Sequence, residues 1–258
     1  MLIAITRKVS PNISLCELTH LERQPIDYEN ATRQHQEYEK NLAKSGCNLI
    51  SLAAEPDLPD SVFVEDTAVV FDELAIITLP GADSRKPETA SIVEALKPHR
   101  KLFFIHEPGT MDGGDVLKVA KRIFVGITPR TNLEGIDQMR NILRPYGYSV
   151  QGVPVHGCLH LKSAVTQVTE DYLLINPAWV DKSEFGRMNF IEVDPAEPYG
   201  ANALMIGGKV IYPSAYHKTR RRLEAHGIDL QIVDASELAK AEGGVTCCSL
   251  IFKSNLTT

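Results

Sequence analysis

Four short stretches gather most of the side chains able to do chemistry. They are Pro59-Asp60-Ser61-Val62-Phe63-Val64-Glu65-Asp66, Gly109-Thr110-Met111-Asp112-Gly113-Gly114-Asp115, His156-Gly157-Cys158-Leu159-His160-Leu161-Lys162 and Gly243-Gly244-Val245-Thr246-Cys247-Cys248. Two glycines ahead of a cysteine let the backbone approach a ligand closely and can turn N–H groups toward the sulfur, favouring a thiolate. If residues 245–252 form a strand, Cys247 and Cys248 point to opposite faces and only one of them meets a site. The bland alternative is a pair of small buried hydrophobes.

His156, Cys158 and His160 alternate, which suggests a metal site. An extended chain rises ~3.3 Å per residue, so His156 and His160 would stand about 13 Å apart. Zinc needs each ligand atom at ~2 Å, so a straight strand cannot use both. His160 alone is a candidate general acid and base, with a structural histidine as the alternative. Asp60, Glu65 and Asp66 crowd carboxylates around Phe63, an arrangement that calls for a compensating cation. A flat guanidinium would suit it, with the Phe63 ring packed on its face. Arg85 and Arg130 each stand at an expected helix start, where the dipole does not favour positive charge. There they can meet an anion such as a carboxylate, or be ordinary surface arginines.

The elements that must position these residues follow from apolar patterning. Four hairpins are expected at 68–71 with 74–78, 115–119 with 123–127, 165–168 with 172–175, and 203–206 with 210–212. Each turns over Gly, Asp, Glu, Lys or Arg. Helical spacing follows at 84–97, 132–143 and 216–226, and weakly at 177–188. Strands are expected next at 102–105, 149–155, 190–193 and 230–233. The ends supply a fifth unit: 245–252 paired with 2–6, a helix at 27–43 and a strand at 47–52. Repeats of roughly 40–50 residues mark closed or stacked repeat architectures. Pairing the N-terminal strand with the C-terminal one closes the ring, which favours one domain over residues 1–258; an open α/β sandwich is the alternative.

Composition agrees with a globular chain. Of 258 residues, 43% are hydrophobic and 23% charged, and the formal charge of -6 argues against nucleic acid as a partner. The run Lys218-Thr219-Arg220-Arg221-Arg222 reads as a solvated helix face. No apolar run reaches the ~20 residues of a membrane helix, and no signal-peptide layout opens the chain. Five cysteines do not suggest a disulfide framework. A cytoplasmic location with reduced thiols is therefore expected.

With these stretches in view, the sequence resembles the dimethylarginine dimethylaminohydrolase family of the guanidino-group-modifying superfamily. The resemblance rests on the 59–66, 159–162 and 243–249 segments, Pro80-Gly81-Ala82-Asp83-Ser84-Arg85, Phe124-Val125-Gly126 and Arg130-Thr131-Asn132. It runs nearly the whole length. It implies a five-bladed α/β-propeller of ββαβ modules and a hydrolase of Nω-methylated arginines, giving citrulline and an amine through a covalent thiouronium. By resemblance Cys247 is the nucleophile, His160 the acid and base, and Asp112 the group orienting it, where some relatives carry Glu. Asp60, Asp66 and Phe63 would hold the guanidinium. Arg85 and Arg130 would grip the α-carboxylate, with Glu65 fixing Arg130. Carbonyls of Leu18, in a lid spanning residues 10–25, and of Ala241 would bind the α-amino group. Leu79 stands where relatives often carry arginine. No metal or organic cofactor is implied; the partner is a small guanidino amino acid, and a homodimer is an option. Arginine deimination, citrulline hydrolysis and non-catalytic amino-acid binding on the same scaffold are the rival readings.

Overall fold

Short polar turns bring apolar runs back on themselves at the four expected places. In the computed structural model, which describes residues 1–254, Ala68–Val70 pairs with Leu74–Ile77 and Val116–Val119 with Arg122–Ile127. Val165–Gln167 pairs with Tyr172–Ile175, and Leu204–Ile206 with Lys209–Pro213. The second strand of each hairpin then pairs in parallel with an outer strand: Lys101–Phe104, Ser149–Pro154, Asn189–Glu192 and Leu230–Val233. A parallel partner requires a crossover, and in three of these four blades a helix supplies it. These are Thr89–Leu96, Leu133–Leu143 and His217–Ala225.

The exceptions have local causes. Residues 84–97 do not form one helix: a 3-10 turn, Asp83–Glu88, precedes the α-helix. Pro87 inside that turn lacks an N–H and crowds the preceding carbonyls, so the chain enters the helix through a tighter winding. The weak pattern at 177–188 yields only the 3-10 turn Lys182–Phe185, with Phe185 as its buried residue. The basic run lies on the helix His217–Ala225, where Arg220 pairs with Glu224 and Arg222 with Asp194.

The fifth blade joins the two ends of the chain. Leu2–Arg7 runs antiparallel to Leu250–Lys253, with Ile3 opposite Phe252, and parallel to Cys47–Leu52. The helix Tyr28–Lys44 crosses over, capped by Asp27, whose side chain accepts the Asn30 N–H. The result is five three-stranded sheets, an α/β-propeller, with inner strands of neighbouring blades in contact. The strand expected at 245–252 begins only at Leu250. Residues 245–248 form a turn instead, because local partners take the ladder's donors. Cys247 N–H goes to the Gly244 carbonyl, and Thr246 N–H goes to Asn202 Oδ1.

Apolar side chains fill the wedges between blades. Ile3, Ile5, Ala75, Ile77, Ile92, Leu96 and Phe252 make one such layer between the fifth blade and the blade of Ala68–Val70, Leu74–Ile77 and Lys101–Phe104. Ile5 is fully buried on the ring-closing strand. Ile5→Ala should destabilise the fold by about 2–5 kcal/mol. Urea unfolding followed by circular dichroism would show the midpoint falling with the slope unchanged.

Candidate active site

The turn at 244–248 decides what the two cysteines do. The Gly244 N–H donates to Cys247 Sγ at 3.3 Å, and Cys247 is partly accessible. Cys248 is buried in the core with Cys16, Val62 and Val245, its thiol 3.7 Å from the Gly244 carbonyl. One sulfur thus faces the site and one faces the core, through turn geometry rather than strand alternation. Burial pushes the Cys247 thiol up to about 12, with the Glu65 and Asp66 carboxylates adding to it. The Gly244 N–H and the Lys162 ammonium oppose that rise.

His160 shares a cavity with Cys247 and is almost completely enclosed. Its Nε2 lies 3.0 Å from Asp112 Oδ2, and its Nδ1 lies 3.8 Å from Asp66 Oδ1. Asp112 is itself fixed, accepting the Gly81 N–H at 2.9 Å. Burial alone would pull the imidazole down, but Asp66, Asp115 and Asp112 outweigh it and hold it at about 9. Asp115, which the sequence reading did not single out, accepts from Thr128, Thr131 and the Leu161 N–H. Burial raises Asp115 to about 6 against those bonds and His160. A Cβ on Gly114 would stand 2.6 Å from His160 Nδ1 and 2.7 Å from Asp66 Oδ1, so only glycine lets the imidazole and the carboxylate meet there.

Asp66 links the imidazole to a second cluster. Its Oδ2 pairs with Arg85 at 2.6 Å, and its Oδ1 accepts the Gly114 N–H. Burial would raise this carboxyl, yet His160, Arg85 and Gly114 hold it at about 2. Arg85 also pairs with Glu88, an acid absent from the sequence reading although the Arg-x-x-Glu spacing across a 3-10 turn foreshadows the contact. Burial lifts Glu88 to about 7, with Arg85 opposing. Arg85 therefore lines the cavity while committed to two protein carboxylates. Arg130 is less engaged: Nη1 lies 4.0 Å from Asp112 and Nη2 donates to Thr19 Oγ1 at 3.3 Å.

Asp60, Phe63 and Ala241 line the same cavity, whose volume is about 20 Å³. Burial raises the Asp60 carboxyl, partly offset by Arg85. Asp60 also accepts the Glu17 N–H at 3.0 Å, tying down the irregular segment 10–25 that carries Leu18. Leu18 itself packs on the neighbouring core. The Phe63 ring sits so close to Gly243 that a Cβ there would come within 2.2 Å of it. Glu65 corrects one expectation: it does not hold Arg130. Its Oε1 pairs with Lys162 and its Oε2 accepts from Thr246 Oγ1 at 2.8 Å, so both carboxylate oxygens are engaged there. Leu79 contributes its carbonyl to the Met111 N–H.

His156 does not join His160. It borders a separate surface cavity beside Trp179, while the Cys158 thiol is buried and reaches the His160 carbonyl. Among the described residues, the group whose ligand atoms could share a metal ion is Asp66, Asp112 and His160, within 4.8 Å of one another. Those atoms already pair with each other, with Arg85 and with Gly114.

A partly accessible thiol, an imidazole backed by carboxylates and an acidic pocket coincide with a family match. The model for eukaryotic N,N dimethylarginine dimethylhydrolase matches residues 17–251. The chain belongs to this family. It is 39% identical over 250 residues to the N(G),N(G)-dimethylarginine dimethylaminohydrolase of Streptomyces coelicolor, covering 96% of this chain and 95% of that one. It is 38% identical to the Pseudomonas aeruginosa enzyme, over 88% of this chain and 90% of that protein. A crystal structure of the Pseudomonas aeruginosa enzyme, with a cysteine replaced by serine and citrulline bound, superposes with a TM-score of 0.91 at 35% identity. That match covers 96% and 98% of the two chains. A family member carrying a histidine-to-glycine change, as an adduct with S-methyl-L-thiocitrulline, also gives 0.91, covering 98% of this chain and all of that one.

The charge cluster sets a pH dependence. His160 is raised from 6.5 to about 9, so its proton stabilises the fold fully below about pH 6.5, and that contribution is lost as pH rises through 9. Asp66 is depressed from 3.8 to about 2, so its contribution is present above 3.8 and lost as pH falls through 2. Asp112→Asn removes one carboxylate beside the imidazole and should lower the His160 titration by roughly 1–3 units. Proton NMR of the ring would read it directly, and an unmoved titration would contradict the coupling.

Proposed function

We propose that Cys247, His160 and Asp112 hydrolyse Nω-methylated arginines to citrulline and a methylamine. The observation that carries the reading is the shared cavity. In it Cys247 and His160 face the acidic pocket of Asp60 and Asp66, with Asp112 on the far nitrogen of the imidazole. The relatives named for this reaction, and the citrulline held by one of them, support the substrate class.

A guanidinium is resonance-stabilised, so attack on its central carbon needs a soft, strong nucleophile and fixed geometry. Asp60 and Asp66 accept its N–H groups and Phe63 packs on its face. Arg130 takes the α-carboxylate; Arg85 also borders the cavity and holds Asp66 in place. The carbonyls of Leu18 and Ala241 accept from the α-ammonium. A bound cation beside Cys247 offsets Glu65 and Asp66, so the thiol ionises when substrate arrives. Sulfur then bonds to the guanidinium carbon and forms a tetrahedral adduct. Asp112 accepts from Nε2, which leaves Nδ1–H of the imidazolium to protonate the departing amine. The C–N bond breaks, and a thiouronium remains on Cys247. His160, now neutral, takes a proton from water as the water adds to the same carbon. The C–S bond breaks as the new hydroxyl gives up its proton to solvent, releasing citrulline and the thiolate.

Purified protein offered dimethylarginine, monomethylarginine, arginine and citrulline should release methylamines from the first two. Cys247→Ser abolishes turnover, while Cys248→Ser leaves most of it. Ammonia from arginine or citrulline alone would overturn the substrate, and an inactive Cys248→Ser alone would overturn the nucleophile. In the free protein, alkylation of Cys247 by neutral iodoacetamide should keep rising past pH 9, because the thiol is raised to about 12. A plateau below pH 8 would show a preformed thiolate instead.

A further inference from the structure

The turn that carries Ala241 is strained at its next residue. Residues 236–239 make a short helical turn, and Gly243 N–H returns to the Leu238 carbonyl. Glu242 occupies the left-handed position of that turn, with φ 57. Glycine adopts this conformation freely and a residue with a Cβ does not, so capping alone gives no reason for glutamate. Its side chain supplies one. Glu242 Oε2 accepts the Thr19 N–H at 3.0 Å, and Oε1 accepts the His20 and Leu21 N–H groups at 2.5 and 2.6 Å. Three successive backbone donors converge on one carboxylate, the arrangement that suits an anion.

The segment held this way covers the site. Two of its other anchors are site residues: Asp60 accepts the Glu17 N–H, and Arg130 donates to Thr19 Oγ1. Glu242 stands between the small catalytic cavity and a neighbouring, mainly apolar chamber of about 220 Å³ that also reaches Cys247 beneath His20 and Leu21. With the segment seated, about 20 Å³ remains beside Asp60 and Asp66, room for roughly one water. An amino acid enters only after the segment moves, and it is gripped only when the segment returns.

We infer that Glu242 is the latch of this lid: a positioning residue whose carboxylate captures the backbone of Thr19–Leu21 and so seats the Leu18 carbonyl opposite that of Ala241. The assignment of those two carbonyls rests on the reading in the preceding section; the capture itself does not. Asp60 and Arg130 turn to the substrate when it binds, whereas Glu242 keeps its grip on the lid. Binding energy therefore depends on it, and the chemical step at Cys247 does not.

The test uses the full chain with Glu242→Gln and Glu242→Gly. Glutamine keeps the size but has one acceptor oxygen for three donors. Glycine removes the strain, so its melting temperature should match or exceed that of the parent protein. In both variants, without any substrate, amide hydrogen exchange at Thr19, His20 and Leu21 should accelerate by at least about tenfold. KM for dimethylarginine should rise by a similar factor, with kcat changed less than about threefold. Unchanged exchange at those amides overturns the latch, whatever KM does. A raised KM with unchanged exchange assigns Glu242 to the α-ammonium instead. If the protein proves inactive on methylated arginines, the exchange measurement still decides the latch by itself.

Discussion

A protonated imidazole enclosed by protein survives only where negative charge surrounds it. Three carboxylates, Asp66, Asp112 and Asp115, do this for His160, and each is itself held by hydrogen bonds or ion pairs. Asp112 is held by Gly81, Asp115 by Thr128 and Thr131, and Asp66 by Arg85 and Gly114. The blades are thus tied together through the same charges that hold the proton on His160. Replacing such a cluster with well-packed apolar groups of similar volume would cost the fold little, since buried ion networks contribute little net energy. What they fix is which nitrogen faces the substrate.

Sulfur and imidazole are set in opposite directions. The acid cluster that keeps His160 charged also raises the Cys247 thiol. An unliganded site therefore holds a proton on each, and neither is spent on stray electrophiles. In the proposed reaction a cationic substrate reverses the balance at the sulfur alone. Selectivity then comes from charge as well as shape, since a neutral molecule of similar outline leaves the thiol protonated.

Much of the fold was legible because its signals are local. Turns of two or three residues between apolar runs located the hairpins, and the helical spacing at 132–143 located a helix that the structure places at Leu133–Leu143. The segment 245–248 was misread as strand because its β-rich composition conceals a turn imposed by Asn202, some forty residues away. The site was legible where type and spacing coincide, as at Asp60, Asp66, His160 and Cys247. Glu88, Asp115 and Glu242 were not, because a single acidic residue has the same appearance whether solvated or enclosed. Their roles depend on partners distant in the chain, such as Glu242 on Thr19. Glu65 was paired with the wrong cation for the same reason: Arg130 and Lys162 are both plausible until the ring closes.

Ring closure through Leu2–Arg7 and Leu250–Lys253 has a consequence for how the molecule is made. Leu2–Arg7 is synthesised more than two hundred residues before the Leu250–Lys253 strand that becomes its antiparallel neighbour, and Cys247 follows the other residues of the site in the chain. Four blades can assemble while the nascent chain is still tethered, yet none of these intermediates carries Cys247. Vectorial synthesis thereby withholds the chemistry until the barrel of blades is ready to enclose it.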